Sequence, residues 1–299
     1  AIKGLTEVSL IGIELDNASK LIDKADALAP DDLELWLLKG QLALLQNQPQ
    51  KAESFFTQAL SIAKYRKIAH FGLIRALVIQ DKLDAALEAI KAAEKQFPNH
   101  PLAKYFRGYI ALKNKDTENA KLLLQQVLKF IPTHSESLLL LSQIHYEGKQ
   151  LEQAKEYIST FLATNPDHVP ALKLLSVINL ALHRADEAIK SLDKAAMNAK
   201  DDGQVLALLG SAYMEKGDLA KGIELLEEAI QISPDAADIH TQLAIGHLKV
   251  GAKDAAISEL QSAIKLDPKL IRADILLILT HINSGNFDEA VSAAEALAE

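Results

Sequence analysis

Three histidines, His100, His134 and His168, stand 34 residues apart. A row of imidazoles can bind a metal or titrate near neutral pH. Zinc needs ligand atoms about 2.0–2.1 Å from the ion. If each step of 34 residues holds a pair of packed helices, neighbouring members of the row are separated by two layers of about 8–10 Å. That is too wide for one ion, so solvated turn residues are expected. The acidic pairs Asp31-Asp32, Asp201-Asp202 and Glu227-Glu228 read as helix caps or solvated charges. The chain has no cysteine, which excludes disulfides, thiolate metal sites and cysteine nucleophiles. No phosphate loop, nucleophile elbow or dinucleotide fingerprint is present. The expected protein is therefore not an enzyme, with no catalytic residue, metal or cofactor.

Stepping from Ala52 by the same interval reaches Ala18, Ala52, Ala86, Ala120, Ala154, Ala188, Gly222, Ala256 and Ala290. Every position is Ala or Gly. Stepping from Pro30 reaches Pro30, Lys64, Pro98, Pro132, Pro166, Lys200, Pro234 and Pro268, mostly proline. A third ladder runs Ala25, Ala59, Ala93, Val127, Phe161, Ala195, Ala229, Ala263 and Leu297. Each unit carries two stretches with apolar residues at helical spacing, which predicts two amphipathic helices. A small residue where two axes cross lets the backbones approach. Proline ends the second helix because it lacks an N–H and clashes with the preceding turn. Polar neighbours, as in Pro30-Asp31-Asp32 and Pro98-Asn99, would cap the next helix.

The composition agrees. Of 299 residues, 49% are apolar and only 5% aromatic, with 13 Gly and 9 Pro. Leu, Ala, Lys, Glu and Gln are good helix formers, so an all-α chain is expected. The net charge is −8, and no Lys/Arg cluster offers the basic face that a nucleic acid requires. No run of 18 apolar residues exists, so no membrane span is expected.

With period, small-residue ladder and proline ladder in hand, the chain resembles the tetratricopeptide-repeat family. Unit 33–66 places Trp36, Gly40, Ala52, Phe56 and Ala59 in family slots 4, 8, 20, 24 and 27. Unit 203–236 supplies Leu209, Gly210, Tyr213, Ala229 and Pro234, and unit 101–134 supplies Gly108, Ala120 and Pro132. Departures are Ile74 and Ile278 in slot 8, expected to loosen packing locally, and His145, His247 and His281 in slot 11, expected to be half-buried. The resemblance implies a right-handed superhelical solenoid of 34-residue helix–turn–helix units. The register is 1–32, 33–66, 67–100, 101–134, 135–168, 169–202, 203–236, 237–270 and 271–299, one array over residues 1–299.

In that family the first helices line the concave face, so slots 2, 5, 6, 9, 12 and 13 are expected to look inward. The aromatics there concentrate between residues 71 and 146. Phe71, Arg75, Tyr105, Tyr109, Gln143 and Tyr146 form the candidate contact set, since aromatics and Arg dominate binding energy at interfaces. The competing reading is that neighbouring units bury these slots as core. A carboxylate clamp is not expected, because Lys173 and Arg75 stand alone, and the Asn ladder of the sugar-transferase members is missing from slot 6.

The chain opens with Ala1 and stops in AVSAAEALAE without a polar closing helix. Repeat arrays need polar caps. Further repeats in a longer parent chain are therefore expected, or a dimer that caps itself end to end. The functional expectation is a scaffold binding a protein or peptide partner in an apolar groove, with a self-associating array and an RNA-reading helical repeat as alternatives. The chain is also similar to the bacterial tetratricopeptide lipoprotein associated with exopolysaccharide production and PEP-CTERM sorting, which implies a periplasmic or cell-envelope location.

Overall fold

The computed structural model describes residues 14–29 and 32–298. Pro30, Asp31 and the leading part of the first unit, residues 1–13, lie outside the described residues. Among the described residues the chain is all helix and turn, with no strand. It divides into two compact units, Ala1–Leu141 and Ser142–Glu299.

The first unit contains α1 (Leu15–Asp26), α2 (Leu33–Leu45), α3 (Pro49–Ile62), α4 (Lys67–Ile79), α5 (Leu83–Gln96), α6 (Pro101–Lys113) and α7 (Thr117–Phe130). The dividing point falls inside α8 (Ser135–Glu147). The second unit continues with α9 (Leu151–Thr164), α10 (Val169–Ala181), α11 (Ala185–Asn198), α12 (Gly203–Lys216), α13 (Leu219–Ile232), α14 (Ala237–Lys249), α15 (Lys253–Leu266), α16 (Ile271–Ser284) and α17 (Phe287–Ala298). The even-numbered helices begin at 33, 67, 101, 135, 169, 203, 237 and 271, in steps of 34. Within each unit successive helices pack as antiparallel hairpins, each hairpin against the next.

One stereotyped turn closes every even-numbered helix. The residues at 47, 81, 115, 149, 183, 217, 251 and 285 all have positive φ, from 54° at Asn47 to 99° at Gly217. The amide that follows each of them reaches back five residues to a helix carbonyl. Gln48 N bonds Ala43 O at 2.8 Å, Gln150 N bonds His145 O at 2.8 Å, and Asn286 N bonds His281 O at 2.9 Å. This left-handed Schellman closure satisfies carbonyls that the helix end would leave open.

The other end is closed by a side chain in five of these helices, while α4, α14 and α16 have no side-chain cap. Asp32 accepts from Leu35 N, and Asp202 from Gln204 N and Val205 N. In three successive units the acceptor is a histidine Nδ1. His100 accepts from Leu102 N at 3.2 Å, His134 from Ser137 N at 3.3 Å and His168 from Ala171 N at 3.2 Å. These rings are helix caps, which corrects the expectation of plain solvated turn residues. Asn99, expected to cap, instead occupies the left-handed region at φ 59°, and the capping role passes to His100.

The small-residue ladder lies at the crossing of the two helices in each hairpin. Ala18, Ala52, Ala86, Ala120, Ala154, Ala188 and Ala256 are fully buried, and Ala290 nearly so. At Gly210 an added Cβ would stand 2.8 Å from the Gly222 carbonyl oxygen, and one at Gly222 would stand 2.8 Å from that of Gly210. Ser142 uses the same approach to donate its hydroxyl to the Ala154 carbonyl at 3.0 Å. Ile74 does not loosen its hairpin. It is fully buried with Ile90 in one cluster, because a larger residue in slot 8 is met by a smaller one than the Phe56 that faces Gly40. Ile278 is half-buried.

Two substitutions in one hairpin test this description through unfolding free energy. Ala154→Leu should cost about 1–3 kcal/mol by overpacking the crossing. Lys149→Gly should raise stability by about 0.5–1 kcal/mol, because only glycine occupies the left-handed position without a steric cost. A gain on Ala154→Leu, or a loss on Lys149→Gly, would contradict it.

Candidate functional site

The first unit carries a groove of about 520 Å³. Its walls come from the even-numbered helices: Gln41 and Leu44 of α2, Ile68 to Ile79 of α4, Leu102 to Tyr109 of α6, and Glu136 of α8 with His134 in the turn before it. Four of the six expected contact residues, Phe71, Arg75, Tyr105 and Tyr109, meet in this groove. Gln143 and Tyr146 belong to the second unit. There Gln143 is exposed and donates to Glu147 within its own helix at 3.0 Å.

The four residues differ in what they can offer. Phe71 is only 6% exposed and stacks on His100, with centroids 4.5 Å apart. It is floor rather than contact surface. Tyr105 and Tyr109 are half-buried. Tyr105 packs edge-on to Phe106 at 5.0 Å and lies 5.0 Å from the ring of His134. Burial, helped by Glu136 and Tyr109 and opposed by Arg75, pushes the Tyr105 phenol up to about 12. It therefore stays a neutral hydrogen-bonding group throughout the physiological range. Arg75 is exposed at the wall, and none of the hydrogen bonds or ion pairs among the described residues engages its guanidinium.

Sequence reasoning passed over two residues that finish the lining. Ile68 and Ile79 flank Arg75 and are each 46% exposed. They occupy slots 2 and 13, which the family register already turned inward. Two glycines shape the floor: a Cβ at either Gly40 or Gly72 would run into the Phe56 ring, which is fully buried beneath the groove. Large exposed aliphatics beside half-buried tyrosines and an open guanidinium make a surface that can take up an apolar segment with hydrogen-bonding or acidic groups at its edge.

The remaining histidines serve the fold. His145 and His281 are buried rather than half-buried, and His247 is half-buried. His145 stacks on Tyr157 at 5.3 Å, and its Nδ1 lies 2.6 Å from Gln150 Oε1. His70 and His240 share a slot and a role: each Nε2 donates to the carbonyl that ends the preceding unit, Lys64 O at 2.8 Å and Pro234 O at 3.0 Å. Among the described residues no three His, Cys, Asp or Glu side chains converge as metal ligands, and no helix is long and apolar enough to cross a membrane.

Three family models match along the chain. "Tetratricopeptide repeat" covers 43–108, "Anaphase-promoting complex, cyclosome, subunit 3" covers 113–195, and "TPR repeat" covers 210–251. No curated protein sequence matches. Among solved structures, the APC/C hetero-tetramer Cut9-Hcn1 aligns over 89% of this chain with TM-score 0.63 and 17% identity. This chain spans about half of that one, 52%. A tetratricopeptide repeat protein from Parabacteroides merdae aligns over 83% of this chain and 98% of its own, with TM-score 0.53 and 17% identity. A monomeric mutant of IFIT1 with Gppp-AAAA aligns over 89% of this chain and 69% of its own, with TM-score 0.53 and 19% identity. At these identities the likeness speaks for the fold, an all-α helical-repeat solenoid.

The environment of Tyr105 has a direct optical consequence. In an alkaline difference-absorbance titration one tyrosine should ionise only near pH 12, and Tyr105→Phe should remove that phase. Its persistence in the variant would place the protected phenol elsewhere.

Proposed function

We propose that this chain, which belongs to the tetratricopeptide-repeat family, is a non-catalytic scaffold whose first unit binds a peptide or helix of a protein partner in the groove around Arg75, Tyr105 and Tyr109. The family generally mediates protein–protein interaction. The observation that carries the groove reading is the company kept by Arg75: an exposed guanidinium with no ion pair among the described residues, between Ile68 and Ile79 and beside half-buried tyrosines. Exposed aliphatics that cluster beside aromatic faces form the kind of apolar patch that marks an interaction site. Bound apolar side chains would rest on the isoleucines and tyrosine faces, while Arg75 and the phenols satisfy polar groups of the segment.

RNA is disfavoured as the ligand. IFIT1 shares the fold, but the net charge of −8 offers no general attraction to phosphate.

Tyr105→Glu combined with Tyr109→Glu tests the groove. The double variant should lose partner capture at least about tenfold, the effect of removing about 1.4 kcal/mol at a central contact, while keeping wild-type helicity. Full capture by a folded double variant would exclude the groove. Loss of helicity would show that the tyrosines are core.

A further inference from the structure

The histidine row and the groove are one structure in the first unit. Phe71 and Tyr105 occupy the same slot of successive units, and the histidine 29 residues after each of them packs on its ring: His100 on Phe71, His134 on Tyr105. Each of these imidazoles therefore has two attachments. Its Nδ1 closes the N-terminus of a groove helix, α6 or α8, and its ring packs against a groove aromatic of the preceding helix pair, stacked at His100 and tilted by 53° at His134. His134 itself lines the groove. His168 makes the same cap, but its ring meets Phe161 edge-on at 5.1 Å instead of a residue of this groove.

We propose that His100 and His134 act as a pH-operated latch on the groove: neutral, they hold α6, α8, Phe71 and Tyr105 in the binding geometry, and protonated, they release them. This inference rests on the reading of the groove as the binding site, and names its regulation.

The chemistry follows from the hydrogen bonds. A ring nitrogen that accepts from a backbone N–H carries no proton, so each capping ring is the neutral tautomer with its proton on Nε2. Protonation puts a hydrogen on Nδ1 facing the N–H of Leu102 or Ser137, and the backbone bond is lost; at His134 the new N–H can only turn to the Ser137 hydroxyl oxygen, 3.0 Å from Nδ1. It also places a positive charge at the positive end of a helix dipole. The surroundings lean the same way at His100. Burial and the Lys67 ammonium of α4 both lower its pKa. Across Phe97, at the end of α5, stands His70 of α4, its Nε2 bonded to the Lys64 carbonyl. At His134 burial lowers the pKa and Glu136, 3.7 Å from Nε2, opposes it, and burial prevails. The other charged or titratable groups facing His134 are the Tyr105 phenol and, beyond it, Tyr109 and Arg75.

The sign is then fixed. A histidine whose folded pKa lies below its ordinary 6.5 binds fewer protons folded than unfolded. Its contribution to stability is complete above about pH 6.5 and is lost as pH falls from there through the lowered folded value. The latch is shut at neutral pH and opens on mild acidification.

The test uses the whole 299-residue chain without a partner, so that it can fail separately from the groove reading. Amide hydrogen exchange at Leu102 and Ser137, corrected for intrinsic rates, is followed from about pH 7.5 to about pH 5, together with the Tyr105 ring resonances. Protection at both amides should drop about tenfold per unit of pH below the folded pKa, and the Tyr105 signals should move with it. His100→Asn with His134→Asn replaces both caps by a good acceptor that does not titrate, and protection should stay flat. His168→Asn should leave the response of the first unit intact. A pH response unchanged in the double variant, none in the wild type, or one abolished by His168→Asn would each overturn the latch. If the double variant fails to fold, the single variants His100→Asn and His134→Asn decide, each expected to abolish the response at its own amide alone. Partner capture, lost on acidification in the wild type and retained in the Asn variants, then ties the latch to binding.

Discussion

The approach of two helix backbones at one point per hairpin governs everything else. Where Gly210 crosses Gly222 there is no room for a Cβ on either side, and elsewhere one alanine fills the gap. Helix pairs held this close have little freedom of angle, because their ridges and grooves interlock in few ways. A bulky residue at the crossing would push the axes apart, and the displacement would pass to the next hairpin. This explains why the ladder at 18, 52, 86 and onward tolerates only Ala or Gly while the residues around it change freely.

The close crossing also decides where side-chain volume can go. Gly40 of the second helix pair and Gly72 of the third surrender their space to Phe56, whose ring lies under the groove floor. One unit on, Ile74 and Ile90 divide the volume evenly. Phe56 fills the floor from beneath, Phe71 is stacked on His100, and Ile68, Arg75 and Ile79 stay exposed on α4. The groove is thus a consequence of core packing rather than an addition to the fold. Its chemistry depends on which residues the exposed slots of α4 and α6 happen to carry.

Legibility in the sequence tracked physical tolerance. The crossing admits two residue types, so its ladder could be read by stepping 34 residues, and with it the hairpins and their order. The left-handed turn residues at 47, 81, 115, 149, 183, 217, 251 and 285 are as regular in conformation, yet read Asn, Asp, Lys, Lys, His, Gly, Gly, Gly. A cost of about 1–2 kcal/mol for a non-glycine residue there is small enough for other packing to offset, so no ladder formed. His70 and His240 make the same bond five periods apart, hidden because the slot is Trp, Lys, Leu or Asp in the units between or beside them. In the candidate site, the shared slots of Phe71, Arg75, Tyr105 and Tyr109 put them on one wall. Residue type alone could not separate Phe71, which is packed beneath a histidine, from Tyr105, which keeps a face open.

The capping slot shows how a permissive position can acquire a function. Closing a helix N-terminus asks only for an acceptor within reach of two or three amides. Asp32 and Asp202 meet that demand with carboxylates. Lys173 lies 3.0 Å from Asp202, and although burial works against the charge, Lys173 and the Val205 and Gln204 amides hold that carboxyl below its usual range. Histidine meets the same demand only while neutral. Histidine at 100, 134 and 168 keeps the helix ends closed, and at 100 and 134, where burial holds the pKa below its ordinary value, the acceptor is lost on mild acidification instead of at the far lower pH that protonates a carboxylate. Two of these three rings lie against aromatic residues of the groove. An interchangeable structural role therefore places a titrating group in contact with the binding surface.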